Sequence, residues 1–386
     1  MATAALLLAI LAAEPAARGA RPPAESPPIV ITAKRLQDSE AVLRACLERR
    51  CPPDQDIDAT LAHAENLFVA GDYRKARTTL RASLHRNRKH AARYPEPVSD
   101  LYRANAVAAN HLGFEEDYER STWGILHALK EGIPEQDARH FGARMEIAAM
   151  TGRMRGLDFA ERDYASLARS AAKGGRPDIA AIAALRAAGL AYRRAANRTT
   201  RKRIEEIAAS TAPETRVAAN MAKLYLARIA QESGNTAEAD ALIRQVTGNG
   251  FKAPVLVYSP RYELAVREPE RMPDETPNPA QGNPARRYGG NFDKTWIDVS
   301  FWVQTDGTVS DLEVLRKSGD PSWAAPLLKS IAGRRYAPAT QAAYRLERYS
   351  YTAGYEEQTG SHLRQRSPRA RVEYLDLTQD QGAPAP

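Results

Sequence analysis

LAHAENLFVAGDYRKARTTLRASL, residues 61–84, decides the fold of most of this chain. Apolar residues recur at spacings of three and four, through Leu61, Ala64, Leu67 and Phe68 and again through Ala76, Leu80 and Leu84. Each half therefore reads as an amphipathic helix. Gly71 can take the positive φ that ends the first helix, and Asp72 can cap the second. Ala64 and Ala76 are small where the two helices must approach closely. The segment is a helical hairpin.

Working outward, the same unit returns in looser form. A second hairpin fits Leu101–Leu129 with Gly113 at its turn, and a third runs from His140 to Ala172, turning near Gly152–Gly156. Ile179–Tyr192 with Arg201–Ala209 suggests a fourth. Val217–Gln231 and Thr236–Val246 form the fifth, where Asn235 and Glu238 have the spacing of a capping box. The pattern resembles the tetratricopeptide repeat, a helical hairpin of ~34 residues that stacks on its neighbours. Spacing here is roughly 40 residues, so the repeats are degenerate members of the helical-solenoid class. A non-repetitive helical bundle is the plainer alternative.

Lys252 to Asn283 breaks the helical pattern with Pro254, Pro260, Pro269, Pro273, Pro277 and Pro279, and reads as a linker. Beyond it the period changes to two. Ile297, Val299, Phe301 and Val303 share one face of a strand, Asp306-Gly307 makes a hairpin turn, and Val309–Leu315 returns. Ser318-Gly319-Asp320-Pro321 then opens a helix with Asp320 as cap, burying Trp323, Leu327, Leu328 and Ile331. Tyr336-Ala337-Pro338 stops it, and Tyr344–Thr352 is a last strand.

That order of punctuation is similar to the TonB C-terminal domain over about 70 residues. The resemblance implies a small antiparallel sheet against one helix, in a cell-envelope protein. It also implies a free edge on the last strand, to which a receptor peptide adds as a further strand. The partner-binding edge would then be Tyr344, Leu346, Arg348, Tyr349 and Tyr351. Pro27–Ala33, with alternating Ile29, Val30, Ile31 and Thr32, is itself similar to the receptor segment that TonB binds, and reads as extended. Two features depart from TonB: the N-terminal apolar stretch is too short to span a bilayer, and helical repeats stand where a long proline-rich reach is expected. The sheet edge could also be covered by Arg371–Thr378.

The N-terminus carries Leu6–Ala13, the heart of an apolar run followed by small residues, as in an export signal. No Lys or Arg precedes it, and no clean small-x-small cleavage site follows. Cys46 and Cys51 are the two cysteines. Without neighbouring histidines they make an incomplete zinc site, so a local disulfide in an oxidising compartment is expected.

The formal charge of +8 could favour an anionic partner. Yet the clusters Arg86–Arg88–Lys89, Arg198–Arg203 and Arg364–Arg371 lack the interleaved aromatics of a single-strand nucleic-acid binder. No metalloprotease, nucleophile-elbow or phosphate-loop motif is present, and carboxylate pairs such as Glu115-Glu116 sit on helix faces.

The map is therefore a signal peptide (1–20), a lead-in carrying the Cys46–Cys51 pair (21–56), a tetratricopeptide-like helical domain (57–253), a Pro-rich linker (254–285), a TonB-like α+β domain (286–355) and a tail (356–386). The expected class is α+β multidomain, without cofactor, metal or small-molecule substrate. The function expected is a periplasmic, non-enzymatic module, at most peripheral to the membrane. Its partners would be proteins, with TonB-dependent outer-membrane receptors as candidates and nucleic acid excluded. The alternative is a structural scaffold whose C-terminal fold only packs or dimerises.

Overall fold

The computed structural model describes residues 29–247, 254–263, 294–357 and 364–378. The expected signal peptide lies outside these residues. The first described element is α1 (Ile29–Glu48). Ile29–Ala33, expected as an extended run, form its first turns, so the strand-like reading of that segment is corrected. Leu43 and Cys46, three residues apart and buried on one face further along, show the reason: the segment continues a helix that packs on the next one. Cys46 and Cys51 form a disulfide, their Cα atoms 5.2 Å apart, across the turn between α1 and α2. Full-length protein should therefore show no thiol reactive to a chromogenic disulfide reagent until it is reduced. Two titratable thiols in native protein would overturn that assignment. Breaking so short a loop is expected to cost no more than about 3 kcal/mol.

Five helical hairpins follow: α2 (Pro53–Val69) with α3 (Tyr73–Asn87), α4 (Pro95–Leu112) with α5 (Glu115–Gly132), α6 (Ala138–Met154) with α7 (Leu157–Lys173), α8 (Pro177–Arg194) with α9 (Arg198–Ala208), and α10 (Arg216–Glu232) with α11 (Thr236–Thr247). They are repeats 1 to 5 below. Three of the first helices begin with proline, whose missing N–H costs nothing in a first turn. Gly71 at φ +85° and Gly113 at +79° make the turns of repeats 1 and 2. Asp72 accepts from the Lys75 amide, as its cap position requires. In repeat 5, Asn235 accepts from the Glu238 amide and its side-chain amide donates back to the Glu238 carboxylate, a variant of the expected box. Buried alanines such as Ala64, Ala76, Ala109, Ala143 and Ala227 let the helices close on one another.

The C-terminal unit contains β2 (Trp296–Val303), β3 (Val309–Ser318), the short helix α12 (Ala325–Ala332), β4 (Arg335–Tyr336), β5 (Ala343–Glu357) and β6 (Arg364–Asp376). The main sheet is antiparallel in the order β3-β2-β5-β6. Its first face buries Ile297, Val299, Phe301, Val303 and Tyr349 against Leu327 and Ile331 of α12. The helix starts later than the sequence suggests. The Ser322 amide donates to Asp320 Oδ1 at the start of a 3-10 turn, Ser322–Ala324, and α12 opens with Pro326 in its first turn.

Two boundaries need correction. The Pro-rich segment is not wholly a linker, because β1 (Leu256–Tyr258) lies within it and pairs antiparallel with β4. The presumed tail is not a tail, because β6 runs through it and completes the sheet. Strand β1 stitches two cores together: Leu256 packs into the sheet cluster, while Val257 is buried with Leu224, Ala227 and Ile243 of repeat 5. Adjacent residues of a strand point to opposite sides, so three residues suffice. Residues 264–293 lie outside the described part.

Candidate functional site

The second face of the sheet looks unpromising in sequence, since Asp298, Ser300, Arg348, Ser350 and Thr352 alternate with the apolar residues of the first. Such a polar face ordinarily meets water. Here it is buried: Asp298 and Arg348 are both 0% exposed and Thr352 is 1% exposed. What covers it is the row of turns at the ends of α2 and α4.

Arg348 sits at the centre. Its guanidinium makes a two-pronged contact with Asp298, Nε to Oδ1 at 2.6 Å and Nη2 to Oδ2 at 2.9 Å. Its third nitrogen, Nη1, donates to the Phe68 carbonyl at 3.1 Å. The flat cation also lies over the Trp296 ring, 3.9 Å from the ring centre. Arg316 donates from Nε to Asp298 Oδ2 at 2.7 Å, so the buried carboxylate holds two cations.

The neighbouring contacts follow one logic. Phe68 lies in the last turn of α2, and Asn110 and His111 lie in the last turn of α4. Carbonyls there carry the negative end of the helix dipole, and those of Phe68 and Asn110 accept only a turn amide, from Gly71 and Gly113, which leaves them room for a further donor. The sheet supplies donors to them: Arg348 to Phe68, Arg371 to Asn110, and the Thr352 hydroxyl to His111 at 3.0 Å. Ser350 and Tyr73 share a hydrogen bond at 3.1 Å. Arg153, in the last turn of α6, pairs with Glu373, so repeat 3 is engaged as well. Gly71 is indispensable in this seam, since a Cβ on it would fall 2.7 Å from Trp296 Nε1.

His111 fills the space between these groups, with its ring 3.9 Å from that of Tyr73 and 5.0 Å from that of Phe68. Burial, reinforced by the Arg371 and Arg348 cations, pushes its pKa down to about 3. Burial likewise raises the Tyr73 hydroxyl above its ordinary value. The site is thus a neutral aromatic box between two guanidinium-capped helix ends.

A second buried network stands on the opposite face, around Glu347. Its Oε2 accepts from Arg334 at 2.8 Å and from the Tyr349 hydroxyl, and its Oε1 accepts from the Tyr374 hydroxyl at 3.2 Å. The carboxylate is fully occupied, and its role is to hold β5, β6 and the segment after α12 together.

The predicted partner-binding edge is not an edge. Strand β5 lies between β2 and β6, so Tyr344, Leu346, Arg348, Tyr349 and Tyr351 belong to an interior strand. Leu346, Arg348 and Tyr349 are all buried. The physical reason is β6, whose Val372, Glu373 and Tyr374 pair with Tyr351, Ser350 and Tyr349. The outer strands of the sheet are β3 and β6. Strand β3 carries two bulges, and Asp311 within it adopts φ +52°. Strand β6 carries Pro368 and four arginines. Bulges, proline and edge charges are the devices by which natural sheets refuse a further strand.

Among the described residues no group of His, Cys, Asp and Glu could hold a metal ion. A shallow hollow of about 110 Å³ is lined by Arg77, Arg81, Phe114, Glu116, Asp117 and Arg120. No helix of the described residues is long and apolar enough to cross a membrane.

No protein-family model matches the chain, and no curated protein matches it. Among solved structures it is similar to BtubC (BKLC) from P. vanneervenii, at 15% identity and a TM-score of 0.39, covering 64% of this chain and 97% of that one. It is also similar to the apo form of RapI, at 11% identity and a TM-score of 0.34, covering 56% and 76%. A Rap protein complexed with competence and sporulation factor gives 13% identity and a TM-score of 0.32, covering 58% and 67%. The class of the chain rests on its own architecture: a helical-repeat array joined to a small antiparallel sheet.

Proposed function

We propose that the chain is a non-enzymatic protein–protein interaction scaffold, in which the repeats bind the partner and the C-terminal sheet is a packed structural element. The observation that carries this reading is the double occupation of the sheet: one face holds α12, the other holds the turns of repeats 1 and 2, and β5 is interior. The repeats, by contrast, keep large apolar side chains in water. Val107 on α4, Trp123 on α5 and Phe159 on α7 are 50%, 49% and 46% exposed. Tryptophan is the residue most enriched among the anchors of protein interfaces.

An adaptor of TonB type, serving outer-membrane receptors, is the second reading. The strand, Asp-Gly turn, strand, helix, strand order supports it, and a receptor segment would have to add to β3 or β6. Export to the periplasm is part of both readings, supported by the apolar Leu6–Ala13 stretch and the Cys46–Cys51 bridge. The separating experiment crosslinks full-length protein in envelope extract and identifies what is recovered. Trp123→Ala with Phe159→Ala is expected to lower recovery of the partner at least tenfold, while Val314→Lys on the outer strand β3 leaves it unchanged. The opposite pattern, with outer-membrane receptors as the recovered proteins, would replace the scaffold reading by the adaptor.

A further inference from the structure

The C-terminal unit touches the repeat array in two places of different character. On repeat 5 the contact is chiefly apolar and covalently anchored, with one surface ion pair, Arg335 to Asp240 at 3.5 Å. Val257 and Ala337 are buried with Leu224, Ala230 and Val246, and the Ala337 amide donates to the Val255 carbonyl at 2.8 Å. Strand β1 follows α11 directly along the chain and pairs with β4, so this end is tied both by sequence and by packing. On repeats 1 to 3 the contact consists mainly of hydrogen bonds and ion pairs: Arg348 to Phe68, Ser350 with Tyr73, Thr352 to His111, Arg371 to Asn110 and Arg153 with Glu373.

We infer that the sheet is a hinged brace on the repeat array, fixed on repeat 5 and latched releasably on repeats 1 to 3. The asymmetry follows from what each end gains or loses in water. Separating the repeat-5 end exposes aliphatic side chains, which water does not compensate. Separating the other end uncovers the Trp296 and Tyr73 rings, but otherwise exposes carbonyls, hydroxyls and charged groups that water can hydrogen-bond in place of their lost partners. The unit has its own apolar core between the sheet and α12, so release at the polar end leaves it folded. Polar contacts of this kind between two packed units are the ones that commonly permit relative motion. A repeat array changes its curvature through small shifts between neighbours. The closed latch holds repeats 1 to 3 at a set distance from repeat 5, and the open latch frees them. A partner that prefers one curvature therefore shifts the latch by its difference in affinity for the two states.

The test uses full-length protein with its disulfide intact and pairs of nitroxide labels, read by pulsed electron spin resonance. One pair, Arg81→Cys with Lys317→Cys, spans the latch. The other, Ala237→Cys with Lys317→Cys, spans the hinge. Two variants weaken the latch at partly exposed sites, Arg153→Glu opposite Glu373 and Arg371→Ala beneath Asn110. The expected result is that the latch distance, narrow in the parent, gains a second population at least 10 Å longer in each variant, while the hinge distance keeps its single value. Unchanged latch distances in both variants would show a rigid frame and overturn the inference. A hinge distance that lengthens along with the latch distance would overturn it too, because the sheet would then be leaving repeat 5 rather than turning on it.

Discussion

Arg348→Met is expected to destabilise the protein by about 3–5 kcal/mol, the usual consequence of removing one partner of a buried ion pair. Methionine fills much of the same volume, so the loss is electrostatic rather than a matter of packing. Asp298 would keep Arg316 on Oδ2 but lose the donor on Oδ1, at a position with no access to water. The Phe68 carbonyl would lose the donor that caps α2 from outside. Arg348→Lys is expected to recover only part of the stability, since an ammonium cannot span both carboxylate oxygens and a carbonyl while lying flat on Trp296. The measurement is the guanidinium-induced transition followed by tryptophan fluorescence, to which Trp296 contributes. A loss below about 1 kcal/mol for Arg348→Met would show that this network adds little to stability, and that a well-packed apolar centre would serve as well.

The second large effect is acid lability centred on His111. Its folded-state pKa of about 3 lies below the ordinary value of 6.5, so the unfolded chain takes up a proton at a pH where the folded chain does not. The sign follows directly. The contribution is complete above pH 6.5 and is lost as pH falls from there toward 3, at about 1.4 kcal/mol per pH unit. Phe68 and Tyr73 face the ring and Arg371 and Arg348 stand nearby, so protonation would add a third cation to the cluster. His63, whose pKa is also lowered mainly by burial, adds a slope of the same sign. Comparison with His111→Phe isolates the site. The variant's stability, measured by urea titration from pH 4 to 7, should fall less steeply by roughly 1.4 kcal/mol per unit below pH 6.5. Parallel curves for parent and variant would refute the assignment.

Much of the helical array could be read from sequence because its signals are local. Gly71, Gly113 and Asp72 end and restart helices within a few residues of the positions they control, and apolar spacing announces each buried stripe. The same holds for Asp306-Gly307, which turns β2 into β3. The candidate site was hidden because its partners are remote. Arg348 and the Phe68 carbonyl are 280 residues apart, and nothing near either one says that the other will replace water. The polar face of the sheet therefore looked like a surface, although the Asp298, Ser300, Arg348 and Ser350 alternation placed it correctly on one side of the strands. In sequence, β6 reads as a tail that could cover the sheet edge, since Pro368 and its arginines interrupt the apolar pattern. The misplacement of the edge on β5 came from the TonB resemblance, whose last strand has no β6 beside it. A useful sequence signal was the length of the alternation, which carries on past Thr352 further than β2 can accompany it.

The way the sheet caps helix ends also bears on how such a chain comes into being. Thr352 lies 241 residues beyond the carbonyl that it meets at His111. At synthesis rates of about 5–20 residues per second, the first repeats wait roughly 10–50 s for their covering sheet. During that interval the ends of α2 and α4 present carbonyls to the surroundings beside the rings of Phe68, Tyr73 and His111. Water can satisfy those carbonyls, so their polar groups pay little for the wait. A seam made largely of hydrogen bonds lets the chain build its two halves far apart in time and join them late, because water holds the polar groups until the sheet arrives.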